Sequence, residues 1–141
     1  MRTRPLSAAR VLVVDDERPN RETFRRCFRG EFEIRLAAGT EEALKLVAAE
    51  RFDIALVDYA MPKMNGLDLL AKLAVLCPGT TRVMVTAHAD LPELSDALAT
   101  GLARAVLRKP WSKVAILECV ANSVRPSAAP GSLKPEPTAC R

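Results

Sequence analysis

Aromatic residues are scarce in this chain. Phenylalanine, tyrosine and tryptophan together make up 4% of its 141 residues, so its interior is expected to be aliphatic. One histidine, His88, is too few for a common zinc site. Four cysteines, Cys27, Cys77, Cys119 and Cys140, lie far apart and form no C-x-x-C pair. Cys27, Cys77 and Cys119 fall in helical, apolar stretches and read as small core fillers in a reducing cytosol. No apolar run approaches the ~20 residues of a membrane-spanning helix. The opening MRTRPLSAARVLVV is basic and then apolar, but Asp15, Asp16 and Glu17 end it far too early for a signal peptide. Internal repeats are absent. These absences point to a cytoplasmic location, away from membranes.

Hydrophobic residues at 49% and charged residues at 27% suit one soluble domain around one core. The net charge of +4 admits an acidic partner or a nucleic acid. The basic residues are scattered, however, with Arg2, Arg4 and Arg10 at the front. A second group, Arg18, Arg21, Arg25, Arg26 and Arg29, reads as the solvated face of one helix. No helix has the Asn, Gln, Arg and Ser pattern of a base-reading element, so direct contact with nucleic acid is not expected.

Short aliphatic runs alternate with longer amphipathic ones. Val11 to Val14 reads as a buried strand stopping at Asp15. Pro19 to Phe28 is helical, with Phe24, Cys27 and Phe28 on one side and Gly30 closing it. Phe32 to Ala37 alternates as a strand. Thr40 is placed to cap a helix with Glu41 and Glu42 in its first turn and Ala43, Leu44, Val47 and Ala48 as its stripe. Ile54 to Val57 is a third strand, ending at Asp58. Gly66 to Leu76 is helical until Pro78-Gly79. Arg82 to Val85 is a fourth strand, ending at Thr86. Leu91 to Ala99 is a short helix with Pro92 in its first turn and Gly101 after it. Ala105 to Leu107 is a fifth strand, ending at Lys109. Ser112 can cap a last helix, with Trp111 and Ile116 placed as a staple and Val114, Leu117, Val120 and Val124 inward. Five strand–helix units mean a parallel sheet covered on both faces. Residues 1–9 read as an extension, 10–125 as the domain, and 126–141, rich in Pro, Ala and Ser, as a tail or linker.

The chemistry lies at the strand ends. Asp15 and Asp16 follow the first strand, Asp58 the third, Thr86 the fourth and Lys109 the fifth. A parallel sheet brings all of them to its carboxyl edge, where open α/β sheets bind ligands. Three converging carboxylates repel unless a cation sits between them. Hard oxygen ligands favour magnesium or a similar ion. Lys109 and the Thr86 hydroxyl complete a site suited to a phosphoryl group.

These motifs resemble the receiver domain of two-component response regulators. The matching residues are Val11 to Val14 with Asp15-Asp16-Glu17, Asp58 with Met61-Pro62-Lys63-Met64-Asn65-Gly66, Thr86-Ala87, and Lys109-Pro110. Each motif alone is weak, but all four in order at strand ends are specific, and the likeness runs from about Arg10 to Val124. The resemblance implies a flavodoxin-like, doubly wound five-stranded parallel sheet, ordered 2-1-3-4-5 and flanked by five helices. It implies that Asp58 is the phosphoacceptor. Asp16, Asp58 and the Ala60 carbonyl would bind Mg2+ directly, and Asp15 mainly through water. Lys109 would pair with phosphoryl oxygens, and Thr86 would turn to bond them. The donor would be a sensor histidine kinase or phosphotransfer protein. The output would be a downstream protein or attached domain meeting the fourth helix, fifth strand and fifth helix. Such a domain catalyses only its own phosphorylation and dephosphorylation, and so is not a turnover enzyme.

Several positions carry further implications. A cis Lys109–Pro110 bond would aim Lys109 inward. Met64-Asn65-Gly66 would form a turn supporting the loop after Asp58. His88 either lies at the rim of the site, influencing water, or is a solvent-facing loop residue. Val106 departs from the pattern, because receivers usually carry an aromatic there that swings inward on activation. Two rivals belong to other classes. An aspartyl-phosphate phosphatase would want an acid two residues after its nucleophile, where Ala60 stands. A phosphate-independent receiver-fold scaffold would not need so complete a site.

Overall fold

The computed structural model describes residues 4–63 and 65–124. The expected tail at 126–141, and Met64 within the loop after Asp58, lie outside the described residues. After a short 3-10 turn at Leu6–Ala8, five strands and five helices alternate. They are β1 (Arg10–Val14), α1 (Arg18–Phe28), β2 (Glu33–Ala37), α2 (Thr40–Ala49), β3 (Ile54–Asp58), α3 (Gly66–Leu76), β4 (Thr81–Thr86), α4 (Pro92–Thr100), β5 (Ala105–Arg108) and α5 (Lys113–Ser123). All strand pairs are parallel, in the order β2-β1-β3-β4-β5. This is the topology implied by the resemblance.

Strand periodicity splits the core into two layers, because successive side chains point to opposite faces. Val11, Val13, Ile54, Leu56, Val83, Val85 and Leu107 pack under α1 and α5. Leu12, Val14, Ala55, Val57 and Met84 pack under α2, α3 and α4. The few aromatics are concentrated. Phe24, Phe28 and Phe32 form one cluster with Trp111, whose ring lies 5.7 Å from that of Phe24 and 5.5 Å from that of Phe28. One corner of the core is therefore aromatic, with Phe52 buried apart in the other layer, and this corner ties α1 to the segment leading into α5.

Some local expectations hold and others need correction. Ser112 caps α5, its side chain accepting from the Ala115 N–H at 3.0 Å. Gly101 ends α4 in the left-handed region, at φ 82°, where a side chain would be strained. Thr40 is not the cap of α2. Gly39 takes that place without a side-chain bond, and the Glu42 carboxylate instead accepts from the Ala38 N–H. Of the expected inward positions on α5, Val120 and Val124 are buried and Leu117 packs half-buried on the core, but Val114 is 66% exposed, and Ala115, Ile116 and Cys119 complete the inner face. At the start of the helix one residue separates the two readings, Val114 and Ala115, and apolar spacing alone did not distinguish them. Cys27 is exposed and Cys77 half-buried, so of the three candidate core cysteines only Cys119 sits in the core.

Candidate functional site

The sheet positions the site. β1 ends one residue before Asp15, β3 ends on Asp58, β4 on Thr86, and β5 one residue before Lys109. Asp58 is paired in register with Val85, and Thr86 with Arg108. Parallel strands end at a common level, so four separate stretches of chain deliver polar residues to one edge.

There the structure brings together Asp15, Asp16 and Asp58, each offering a carboxylate oxygen within 4.8 Å of the others. Asp15 and Asp58 are buried, and Asp16 is half-buried. The Lys109 ammonium bridges the two buried acids, 3.2 Å from Asp58 Oδ1 and 3.3 Å from Asp15 Oδ2. Asp15 is held from the other side as well. The Glu17 N–H donates to its Oδ1 at 2.9 Å, Asn20 Nδ2 donates to its Oδ2 at 3.2 Å, and Arg21 donates to its carbonyl at 2.8 Å. Asp15 is thus a fixed anchor, whereas Asp58 has Lys109 as its ion-pair partner.

Burial makes ionisation of Asp58 harder and raises its pKa. Lys109 pulls it down, and the charges of Asp15 and Asp16 push it up again, so the net shift is upward. For Lys109, burial acts to lower the pKa, but the charges of Asp15 and Asp58 and its hydrogen bonds to them outweigh it, and the net shift is upward. The acids outnumber the cation. A carboxylate with a raised pKa beside two others is a site short of positive charge, and this donor set fits a hard divalent cation with oxygen ligands.

The supporting residues are equally specific. Lys109–Pro110 is a cis peptide, and the Lys109 N–H donates to the Thr86 carbonyl at 2.8 Å. Thr86 is buried, and its hydroxyl accepts from the His88 N–H at 3.0 Å. The His88 side chain is exposed. Ala60 is exposed and follows Tyr59 in the loop after β3. Gly66 does not serve as a turn glycine; it starts α3, behind Asn65, whose side chain caps the helix by accepting from the Asp68 N–H at 3.0 Å. A Cβ on Gly66 would stand 2.5 Å from the Asp58 carbonyl oxygen. Glycine is there because helix and strand approach too closely for any side chain. Beside the site, a cavity of about 610 Å3 runs from Asp15, Asp58 and Lys109 to Phe24, Cys27 and Trp111.

One feature of this edge was not legible beforehand. Tyr59, next to Asp58, donates its hydroxyl to the Glu93 carboxylate in the first turn of α4. A pairing across 34 residues leaves no local signal in a single sequence.

Residues 11–121 match the family model described as the response regulator receiver domain. The chain is 38% identical over 110 residues to a response regulator receiver protein of Anaeromyxobacter, covering 77% of this chain and 46% of that protein. It is 35% identical over 102 residues to the alginate biosynthesis transcriptional regulatory protein AlgB of Pseudomonas aeruginosa, covering 72% of this chain and 23% of AlgB. The chain thus spans less than half the length of these curated relatives. Among solved structures, a CheY-like response regulator receiver domain protein from Methanospirillum hungatei superposes with a TM-score of 0.76 at 33% identity, covering 84% of this chain and 94% of that one.

Proposed function

Because the chain belongs to the response regulator receiver domain family, we propose that Asp58 accepts a phosphoryl group from a phosphohistidine on a sensor histidine kinase or phosphotransfer protein. The observation that carries this reading is the buried Asp58 carboxylate, 3.2 Å from the Lys109 ammonium and clustered with two further acids. A carboxylate oxygen of Asp58 attacks phosphorus, the phosphorus–nitrogen bond of the donor breaks, and the imidazole leaves with that electron pair. The product is an acyl phosphate on Asp58.

Asp16, Asp58 and the Ala60 carbonyl would hold Mg2+ directly, with Asp15 acting through water. The ion supplies neutralising charge among the carboxylates and the phosphoryl oxygens. Lys109 holds its charge beside Asp58, with its backbone fixed by the bond to Thr86. The Thr86 hydroxyl leaves the His88 N–H to bond the phosphoryl group. Reversal by water makes this a switch rather than a turnover enzyme, and the domain acts in the cytoplasm. Its output surface is formed by α4, β5 and α5, where Leu98 and Val114 are exposed apolar residues.

Charge supports a protein donor. Residues 18–29 hold five arginines and one acid, Glu22, a formal +4 (5 minus 1) that equals the net charge of the entire chain. Among the described residues, none of these arginines is paired with a carboxylate. Arg18, Arg25, Arg26 and Arg29 are exposed on α1 or just past its end, and α1 flanks Asp15 through Asn20 and Arg21. A donor with an acidic face would be steered to this side of the site.

The reading is tested by exposing the protein to phosphoramidate with Mg2+ and measuring intact mass. One added phosphoryl group is expected in the native chain and none in Asp58→Asn. Persistent addition to that variant would overturn the assignment.

A further inference from the structure

Position 106 holds Val, half-buried against the core layer under α2–α4 and paired in register with Met84. Its one stiff side-chain torsion and small area leave little to swing. Tyr59 occupies the same layer. It directly follows Asp58 and packs half-buried against the same cluster as Leu91 and Val106. Its backbone is held on both sides, its N–H donating to the Val85 carbonyl at 3.0 Å and its carbonyl accepting from the Gly66 N–H at 2.8 Å. Its ring therefore extends from a backbone that cannot shift independently of Asp58, and its hydroxyl donates to Glu93 in the first turn of α4.

Leu94 anchors that first turn in the core and Leu91 packs half-buried beside it, but its polar contacts are few. Leu91, its N-cap, offers no side-chain bond. Among the described residues Tyr59 is the one side-chain partner of Glu93. The segment entering α4 runs from His88, whose N–H is bonded to the Thr86 hydroxyl at 3.0 Å, to Leu91, whose N–H is bonded to the His88 carbonyl at 3.3 Å. If Thr86 turns toward a phosphoryl group, His88 loses its acceptor and this segment is freed to move. Two connections from the site, one through Thr86 and one through Tyr59, thus end on the same helix turn.

We propose that the Tyr59–Glu93 hydrogen bond is a latch: it holds the start of α4 against the loop after Asp58 while Asp58 is unmodified, and its release carries the phosphorylation state to α4 in place of an aromatic toggle at position 106. This rests on the receiver reading above. A bond present in one state and lost in the other biases the equilibrium between them. Linkage makes the bias reciprocal, so removing the latch must favour phosphorylation as well as free α4.

The experiment compares backbone amide shifts of the native chain, Tyr59→Phe and Glu93→Gln, each titrated with beryllofluoride in the presence of Mg2+. In the native chain, beryllofluoride should shift the amides of Asp58, Thr86 and Glu93 to Ser95, with small changes at Val106 and along α5. Without beryllofluoride, Tyr59→Phe should already have moved Glu93 to Ser95 along the line toward their native beryllofluoride-bound positions. Glu93→Gln, which keeps a neutral acceptor, should move them the same way by less. Beryllofluoride should bind Tyr59→Phe more tightly than the native chain by roughly two- to five-fold, the range of an exposed charge-assisted contact. Loss of a residue that merely packs would weaken that binding or leave it alone. Unmoved or off-line α4 amides in Tyr59→Phe, or beryllofluoride binding no tighter than in the native chain, would overturn the latch while leaving the receiver reading intact. No beryllofluoride response at Asp58 and Thr86 in the native chain would overturn that reading and the latch with it.

Discussion

Gly66→Ala tests whether the packing behind Asp58 is as tight as described. An added Cβ would lie 2.5 Å from the Asp58 carbonyl oxygen and 3.0 Å from both Met84 Sδ and Tyr59 Cα. Ordinary contact begins near 3.4 Å, so the shortfall against the carbonyl is about 0.9 Å (3.4 minus 2.5). That oxygen belongs to strand backbone and cannot rotate away, and Met84 is fully buried. Either the start of α3 or the end of β3 must move. Overpacking of this kind costs about 1–3 kcal/mol. Alanine's higher helix propensity, up to ~1 kcal/mol in a helix interior, offsets little at the first residue of α3. For a domain of this size the melting temperature should fall by roughly 3–10 °C. Because the displaced atoms include the Asp58 backbone, phosphorylation by acetyl phosphate should slow as well. Gly79→Ala is the control, since a Cβ there meets nothing within 4 Å. Thermal unfolding of the two variants side by side is decisive. If Gly66→Ala melts no lower than Gly79→Ala, the close approach of α3 to β3 is wrong.

Mg2+ should stabilise the native chain by about 1.4 kcal/mol at ten times its dissociation constant, and calorimetry of Asp16→Ala should show that gain lost; equal stabilisation would remove Asp16 from the metal site. The raised pKa of Asp58 means that its charged form is disfavoured in the fold. The resulting penalty is full above the folded pKa and disappears as pH falls through it toward the ordinary 3.8. Asp58→Asn should therefore be more stable than the native chain at neutral pH without divalent metal, with the gap closing in acid; a gap independent of pH would contradict this. Reversing Arg18, Arg25 and Arg29 to Glu should slow transfer from a protein donor at low salt, and the difference should fade towards 1 M salt, where screening acts within ~3 Å. Acetyl phosphate should phosphorylate this variant normally, and equal slowing with both donors would refute donor steering.

Much of the site was legible because its residues sit where strands end, and strand ends are marked by an abrupt change from aliphatic to polar residues. Val11 to Val14 followed by Asp15, and Ile54 to Val57 followed by Asp58, place two acids on one edge once the sheet is parallel. Their tight clustering and the bridging Lys109 then follow from topology. Helix faces were harder. On α5, Val114 and Ala115 are both apolar, and packing against the sheet rather than hydrophobicity decides which turns inward. The cap of α2 failed for a related reason: a threonine can cap or start a helix, and Thr40 starts this one behind Gly39 while Glu42 binds the Ala38 N–H. Gly66 was visible as a glycine but not as a steric necessity, because the atom it avoids belongs to a different element. The Tyr59–Glu93 contact depends on the placement of α4, which no residue pattern near either position encodes.

On the proposed reading, the phosphoryl group resides on Asp58 as an acyl phosphate. Borohydride reduces such a mixed anhydride to an alcohol and leaves a free carboxylate untouched. The protein should be treated with phosphoramidate and Mg2+, quenched with borohydride, digested and mapped by mass spectrometry. Homoserine is expected in place of Asp58, dependent on both phosphoramidate and Mg2+, with Asp15 and Asp16 unchanged. Homoserine at Asp15 or Asp16, or an unmodified Asp58 in a chain whose intact mass shows the added phosphoryl group, would contradict it.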